Sequence, residues 1–245
     1  MIFQDIENKI KHGKKQLAVL IDPDKGNDEH LTRLAAMANE SMVDLFFVGG
    51  SLMVSHKMET TIRTLKSLSD IPVVLFPGSP AQICDLADGI LLLSLISGRN
   101  PELLIGQHVL AAPTLKKSGL EILPTGYMLV DGGRPTTASY ISGSMPLPAN
   151  KPEIAAVTAM AGEMLGLKII YADAGSGADQ PISTEMISAI KSSVQAPLII
   201  GGGMKTPEEV SAAYRAGADI VVVGNAFEED PELLFDIANT RFAIS

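Results

Sequence analysis

Carboxylates, a lysine, small hydroxyls and glycine turns recur in this chain directly at the ends of short apolar runs. Asp22, Asp24 and Lys25 close the run at 17–22, Ser51 follows 45–48, and Asp173 closes 167–173 with Gly175, Ser176 and Gly177 behind it. Gly201, Gly202 and Gly203 follow 197–200, and Gly224 and Asn225 follow 218–223. Two kinds of chemistry suit such groups. Residues without side chains let backbone N–H groups approach an anion, and a helix start behind them adds N–H groups of its own, an arrangement fit for a phosphate monoester. A carboxylate and a hydroxyl on neighbouring strands, Asp22 and Ser51, can share one Mg2+, which needs only one or two protein oxygens when a diphosphate supplies the rest. Asp22 equally suits an Asp-Pro turn and Ser51 a helix cap.

These groups need a scaffold that delivers them to one place. Between 196 and 227 a β-branched run enters the glycine triplet, then Thr206, Pro207 and Glu209 supply an N-cap, an N1 proline and a capping-box acid. Gly217 ends that helix, and 218–223 is a buried parallel strand leading to the second glycine turn. Two such turns after the last two strands match the phosphate site of a (β/α)8 barrel. Further strands are predicted at 17–22, 45–48, 72–76, 89–93, 121–130 and 167–173, with helices at about 5–15, 27–39, 54–68, 100–117, 152–165 and 183–193. Between Phe76 and Gly89 lies PGSPAQICDLAD, too short and proline-rich for a crossover helix, so one barrel helix, after strand three, is missing or vestigial. Residues 131–150, rich in Gly, Pro, Ser and Thr, form the longest loop, either a lid or a disordered segment.

The 245 residues, 46% of them hydrophobic, suit a single barrel domain over 1–245. A net charge of −9 without any Lys/Arg-rich run argues against nucleic acid or an anionic membrane surface as the main partner. One cysteine, Cys84, excludes an internal disulfide and fits a reducing cytoplasm. The N-terminus is too polar for a signal peptide, and no apolar run approaches the ~20 residues of a spanning helix, so stable membrane insertion is not expected. His12, His30, His56 and His108 fall on predicted helices or their starts and are read as surface residues away from the strand ends, and the 11 Met residues as core filler.

The motifs LIDPDK (20–25), VGGS (48–51), GYMLVDGG (126–133), YADAGSGA (171–178), IIGGGMKT (199–206) and VVVGNA (221–226) resemble, in order and spacing, those of the geranylgeranylglyceryl phosphate synthases and their bacterial heptaprenylglyceryl phosphate relatives. The resemblance implies a modified TIM barrel lacking one helix that joins sn-glycerol 1-phosphate to a long prenyl diphosphate and releases diphosphate. It further implies Mg2+ on Asp22 and Ser51, and glycerol phosphate on Tyr171, Gly175, Ser176, Gly177, Gly202, Gly203, Gly224 and Asn225. It also implies a homo-oligomer, at least a dimer. The family motif usually carries a glutamate that orients or deprotonates the attacking hydroxyl, where this chain has the shorter Asp173. The bacterial branch often has Lys where this chain has Leu20, and the full DPDK and AGSGA wording leans toward the geranylgeranyl type. The prenyl chain needs a long apolar cleft, expected along 121–150 with Tyr127 and Tyr140 in its wall. A phosphate-binding isomerase or aldolase, or a degenerate glycerol-phosphate binder, is the competing reading. The first would need a second acid/base or a Schiff-base lysine at a strand end, and no such lysine lies on a central strand.

Overall fold

The computed structural model describes residues 1–25, 27–224 and 233–243. Eight parallel strands, each hydrogen-bonded to the next, close into a barrel: β1 (Gln16–Ile21), β2 (Leu45–Gly50), β3 (Val73–Pro77), β4 (Gly89–Leu95), β5 (Glu121–Leu129), β6 (Ile169–Asp173), β7 (Leu198–Gly201) and β8 (Ile220–Val223), with β8 pairing back to β1. The strands are short, apolar and rich in β-branched residues, as burial on both faces requires. Alternation divides their side chains into two cores. Ala18, Phe47, Val74, Leu91, Tyr171 and Val222 point into the barrel, while Leu17, Val19, Phe46, Val73, Ile170 and Val221 pack outward under the helices. The first helix, α1 (Ile2–Lys11), closes the base of the barrel: Ile6 joins the inner core, and the Glu121 carboxylate accepts from the Ile2 and Phe3 N–H groups.

The outer layer follows the capping signals. α2 (Asp28–Glu40) begins where Asn27 accepts from the His30 N–H, α3 (Met58–Leu68) follows β2, and a π-helical turn, Glu102–Gly106, runs into α4 (Gln107–Lys117). The helix expected from about 54 begins only at Met58, because Asp24 accepts from the Val54 and Ser55 N–H groups and holds that stretch as a loop. Within 131–150, read from sequence as loop, Thr136 and Ser139 form a capping box that starts a short helix, α5 (Thr137–Ser142), ended by Gly143 at φ 59°. α6 (Pro152–Met164), α7 (Thr184–Ser193), α8 (Pro207–Ala216) and a C-terminal helix, Leu233–Thr240, complete the layer.

Between β3 and β4 only a single 3-10 turn, Pro80–Gln82, replaces the crossover helix, as the length of that segment predicts. The two strands part early: they pair at Val74↔Gly89 and Leu75↔Ile90, whereas β4 and β5 stay in register from Gly89↔Glu121 to Leu95↔Tyr127. The barrel wall at this junction therefore lacks a crossover helix and is split toward its upper end.

Candidate active site

Every strand-end group named from sequence that falls within the described residues lies at the C-terminal face of the barrel; Asn225 lies outside them. On one side of that face the turns after β6 and β7 interlock. Gly175, Gly177, Gly202 and Gly203 adopt φ of 89°, 73°, 80° and 74°, a left-handed conformation open chiefly to glycine. The packing also excludes side chains: a Cβ on Gly202 would sit 2.6 Å from Asp173 Oδ1, and one on Gly203 would sit 2.7 Å from the Gln180 carbonyl oxygen. The N–H groups of Gly177, Gly202, Gly203 and Gly224 have no hydrogen-bond partner among the described residues, leaving a concave set of donors of the kind that holds phosphate. Ser176 is exposed at the rim of this cup.

The start of α8 contributes less than its sequence suggests. The Glu209 N–H is taken by Thr206 Oγ1, the Lys205 and Thr206 N–H groups are taken by the Glu209 carboxylate, and Pro207 has none. The capping box thus consumes most of the donors the helix would offer, and the carboxylate offsets part of its positive end. The cup is made by the loops.

Asp173 lies beneath the cup, 6% exposed. Its Oδ1 accepts from the Gly175 N–H at 2.7 Å, and its Oδ2 accepts from the Tyr127 hydroxyl at 2.6 Å. Burial holds the carboxyl above the ordinary aspartate range, and the bonds from Tyr127 and Gly175 partly offset that rise. Burial likewise pushes the Tyr127 phenol well up, so it remains a donor. Tyr171, assigned from sequence to glycerol phosphate, has its ring buried in the barrel centre, stacked on Phe76 at 5.5 Å and edge-on to Tyr127 at 5.4 Å. It forms the floor beneath the cup.

Asp22 and Ser51 stand at the ends of the adjacent strands β1 and β2. Asp22 Oδ1 accepts from the Asp24 N–H at 3.0 Å, the Asp-Pro turn that the sequence also allowed, while its Oδ2 lies toward Gly50, the neighbour of Ser51. No group of three or more His, Cys, Asp or Glu side chains converges among the described residues. Two oxygens on one rim do not make a metal cage but fit an ion that takes its remaining ligands from water and phosphate.

On the other side of the face, a partly open apolar cleft of about 140 Å3 runs from Ser51, Phe76 and Tyr127 out through the parted β3 and β4 to Ala111 and Leu115 of α4. Of the two tyrosines expected in its wall, Tyr127 lines it, whereas Tyr140 faces solvent because it falls on the outer side of α5. Two histidines read as remote surface residues also prove to be placed otherwise. His108 lines the cleft with its Nε2 3.1 Å from the Ser94 hydroxyl, and burial lowers its pKa; His30 borders a small pocket beside Asp22, Lys25 and Gly224. His12 and His56 are exposed, as expected.

The Tyr127–Asp173 bond went unread in the sequence, although the alternation Leu123, Thr125, Tyr127 turns Tyr127 inward on the strand next to Asp173. No described strand carries a lysine, so Schiff-base chemistry inside the barrel has no nucleophile here.

Fold and site together define a barrel that pairs a glycine-lined cup of backbone donors with an apolar cleft. The chain belongs to the PcrB family, whose profile matches residues 9–241. It is 55% identical over 238 residues to a geranylgeranylglyceryl phosphate synthase of Chitinophaga pinensis, covering 97% of this chain and 94% of that one. It is also 38% identical to the Korarchaeum cryptofilum enzyme of the same name, over 98% of each chain. The crystal structure of (S)-3-O-geranylgeranylglyceryl phosphate synthase from Thermoplasma acidophilum in complex with sn-glycerol-1-phosphate superposes with a TM-score of 0.92 at 30% identity, covering 98% of each chain. A thiamine phosphate pyrophosphorylase from Pyrococcus furiosus, with a TM-score of 0.60 at 15% identity over 94% of this chain and 96% of that one, shares the fold.

Proposed function

We propose that this protein forms an ether between sn-glycerol 1-phosphate and a long prenyl diphosphate, geranylgeranyl diphosphate in the first instance, and releases diphosphate. One observation carries the reading: Tyr127 joins the two halves of the site, its ring in the apolar cleft and its hydroxyl on Asp173 beneath the glycine cup. A polar phosphate ligand and an apolar chain thereby meet at one buried carboxylate. The names of the close relatives, and the glycerol phosphate bound to the Thermoplasma acidophilum structure, agree with it.

The N–H groups of Gly177, Gly202, Gly203 and Gly224 hold the glycerol phosphate, with Ser176 at its rim, and direct a free hydroxyl toward Asp173. Asp22 and Ser51 would hold Mg2+, which when bound supplies the positive charge that makes diphosphate a competent leaving group. As the allylic C–O bond breaks, the electron pair leaves with the diphosphate and positive charge grows on the carbon. Asp173 stabilises that charge, the glycerol oxygen bonds to the carbon, and the hydroxyl proton passes to the carboxylate. Burial makes Asp173 a stronger base than a solvated aspartate, and its two hydrogen bonds fix its direction. The aromatic floor of Phe76, Tyr127 and Tyr171 keeps water from the cation. The protein is further proposed to work in the cytoplasm as a homo-oligomer of at least two chains.

Purified protein incubated with labelled glycerol 1-phosphate and prenyl diphosphates of several lengths, with Mg2+ or with chelator, tests this. Ether product with Mg2+ and a loss of product with chelator is the expected result. Glycerol phosphate binding without product from any prenyl donor would replace the enzyme with a binding protein.

A further inference from the structure

The mouth of the cleft is bordered by two segments that carry bare apolar side chains. Ser51, which lines the cleft, leads into Leu52 and Val54, 52% and 79% exposed. On the other border α5 contributes Ala138 and Ile141 to the wall, while its Tyr140 and the following Met145 are 84% and 89% exposed. Single exposed apolar residues are ordinary, but these sit on segments that both line one apolar cleft. The α5 border is depleted of charge: residues 135–150 hold no Asp, Glu, Lys or Arg, in a chain that is 19% charged. Nor are the segments loosely attached, since Asp24 holds the Val54 and Ser55 N–H groups and the Thr136–Ser139 capping box fixes α5.

We infer that this rim is a docking surface for a lipid bilayer, resting on the reading that a prenyl chain occupies the cleft. Such a chain partitions into lipid, and every methylene led through water opposes its transfer to the protein. An apolar rim seated among the headgroups lets the chain pass from bilayer to cleft without that exposure. No helix among the described residues is long and apolar enough to cross a membrane, so the attachment is interfacial and reversible. The net charge of −9 opposes attraction to an anionic surface, so apolar contact supplies the binding and zwitterionic lipid suffices.

The test is flotation of the full chain with phosphatidylcholine vesicles, for the wild type and for a variant carrying Leu52→Ser, Val54→Ser, Tyr140→Ser and Met145→Ser, combined with kinetics. The wild type should float with the vesicles and the variant should partition at least tenfold less. The variant's kcat/KM should fall at least tenfold for geranylgeranyl diphosphate held in vesicles, yet stay within twofold for geranyl diphosphate dissolved in buffer. Absence of wild-type flotation, or equal flotation of the variant, overturns the proposal. So does a wild-type oligomer that the variant dissociates in sedimentation, which would make the rim an interface between copies of this chain. Wild-type flotation without turnover of either prenyl donor would instead refute the assigned reaction and leave the docking surface standing.

Discussion

Replacing Tyr127 by Phe removes one oxygen and almost nothing else, which isolates the bond that joins the two halves of the site. The hydroxyl donates to Asp173 Oδ2 at 2.6 Å with both groups buried. A hydrogen bond to a charged group is worth about 1.5–3 kcal/mol, and about 1.4 kcal/mol corresponds to a tenfold change in a protonation equilibrium. Asp173 must be ionised to accept the hydroxyl proton, so the acid limb of kcat/KM should move upward by about 1–2 pH units in Tyr127→Phe. Well above that limb the variant should keep most of its rate, because the carboxylate is intact. The stability change has a definite sign. Burial already raises the folded-state pKa of Asp173 above its unfolded value, so between the two the folded chain binds more protons. This group's contribution is therefore most favourable below the unfolded pKa and declines as pH rises through the folded one. Losing the Tyr127 donor widens that window, and the variant should be about 1.5–3 kcal/mol less stable than the wild type at neutral pH, with the gap closing in acid. Rate profiles over pH and denaturant unfolding at neutral and acid pH measure both effects. An unshifted acid limb with undiminished neutral stability would show that Tyr127 does not support the charge on Asp173.

Asp173→Asn should lower kcat by roughly 10²- to 10⁴-fold with little change in glycerol phosphate affinity, and single-turnover kinetics beside calorimetry would separate the two. Asp173→Glu should retain substantial activity if charge and position suffice, as the same assay reports. Asp22→Ala should abolish Mg2+-supported turnover yet leave glycerol phosphate binding nearly intact; an equal loss of both would mean that the site is not divided between the two substrates. Gly203→Val places a Cβ 2.7 Å from the Gln180 carbonyl oxygen at φ 74°, so it should weaken glycerol phosphate binding by about 1–3 kcal/mol in calorimetry through loss of the cup's shape.

The barrel was legible because its strands announce themselves: short apolar runs, most of them ending at a glycine or a carboxylate and most separated by a helical stretch. Even the absent helix could be read, since the stretch from Pro77 to Asp88 holds two prolines and too few residues to cross back. Where the reading missed, two local signals competed or a partner lay far along the chain. Thr206 and Glu209 read both as a cap and as the opening of an anion site, and a cap that closes on itself leaves little for a ligand. The serine- and threonine-rich stretch near Tyr140 looked like loop until its own capping box made a helix and turned that tyrosine outward. The partnership of Tyr127 with Asp173 spans 46 positions, and only the strand register brings it within reach. His108 reads as a surface helix residue unless one knows that the crossover between β3 and β4 is reduced to a single turn, which leaves a cleft beside Ser94.

The missing crossover helix between β3 and β4 has a consequence for how such a protein can change. Where a helix lies on the ring, the outward side chains beneath it answer to that helix, so a substitution that alters shape there also costs folding energy. Along the open groove beside β4 the side chains answer mainly to whatever ligand lies against them. Variation there can lengthen, shorten or reshape the groove while the scaffold stays intact, which separates the choice of chain from the security of the fold.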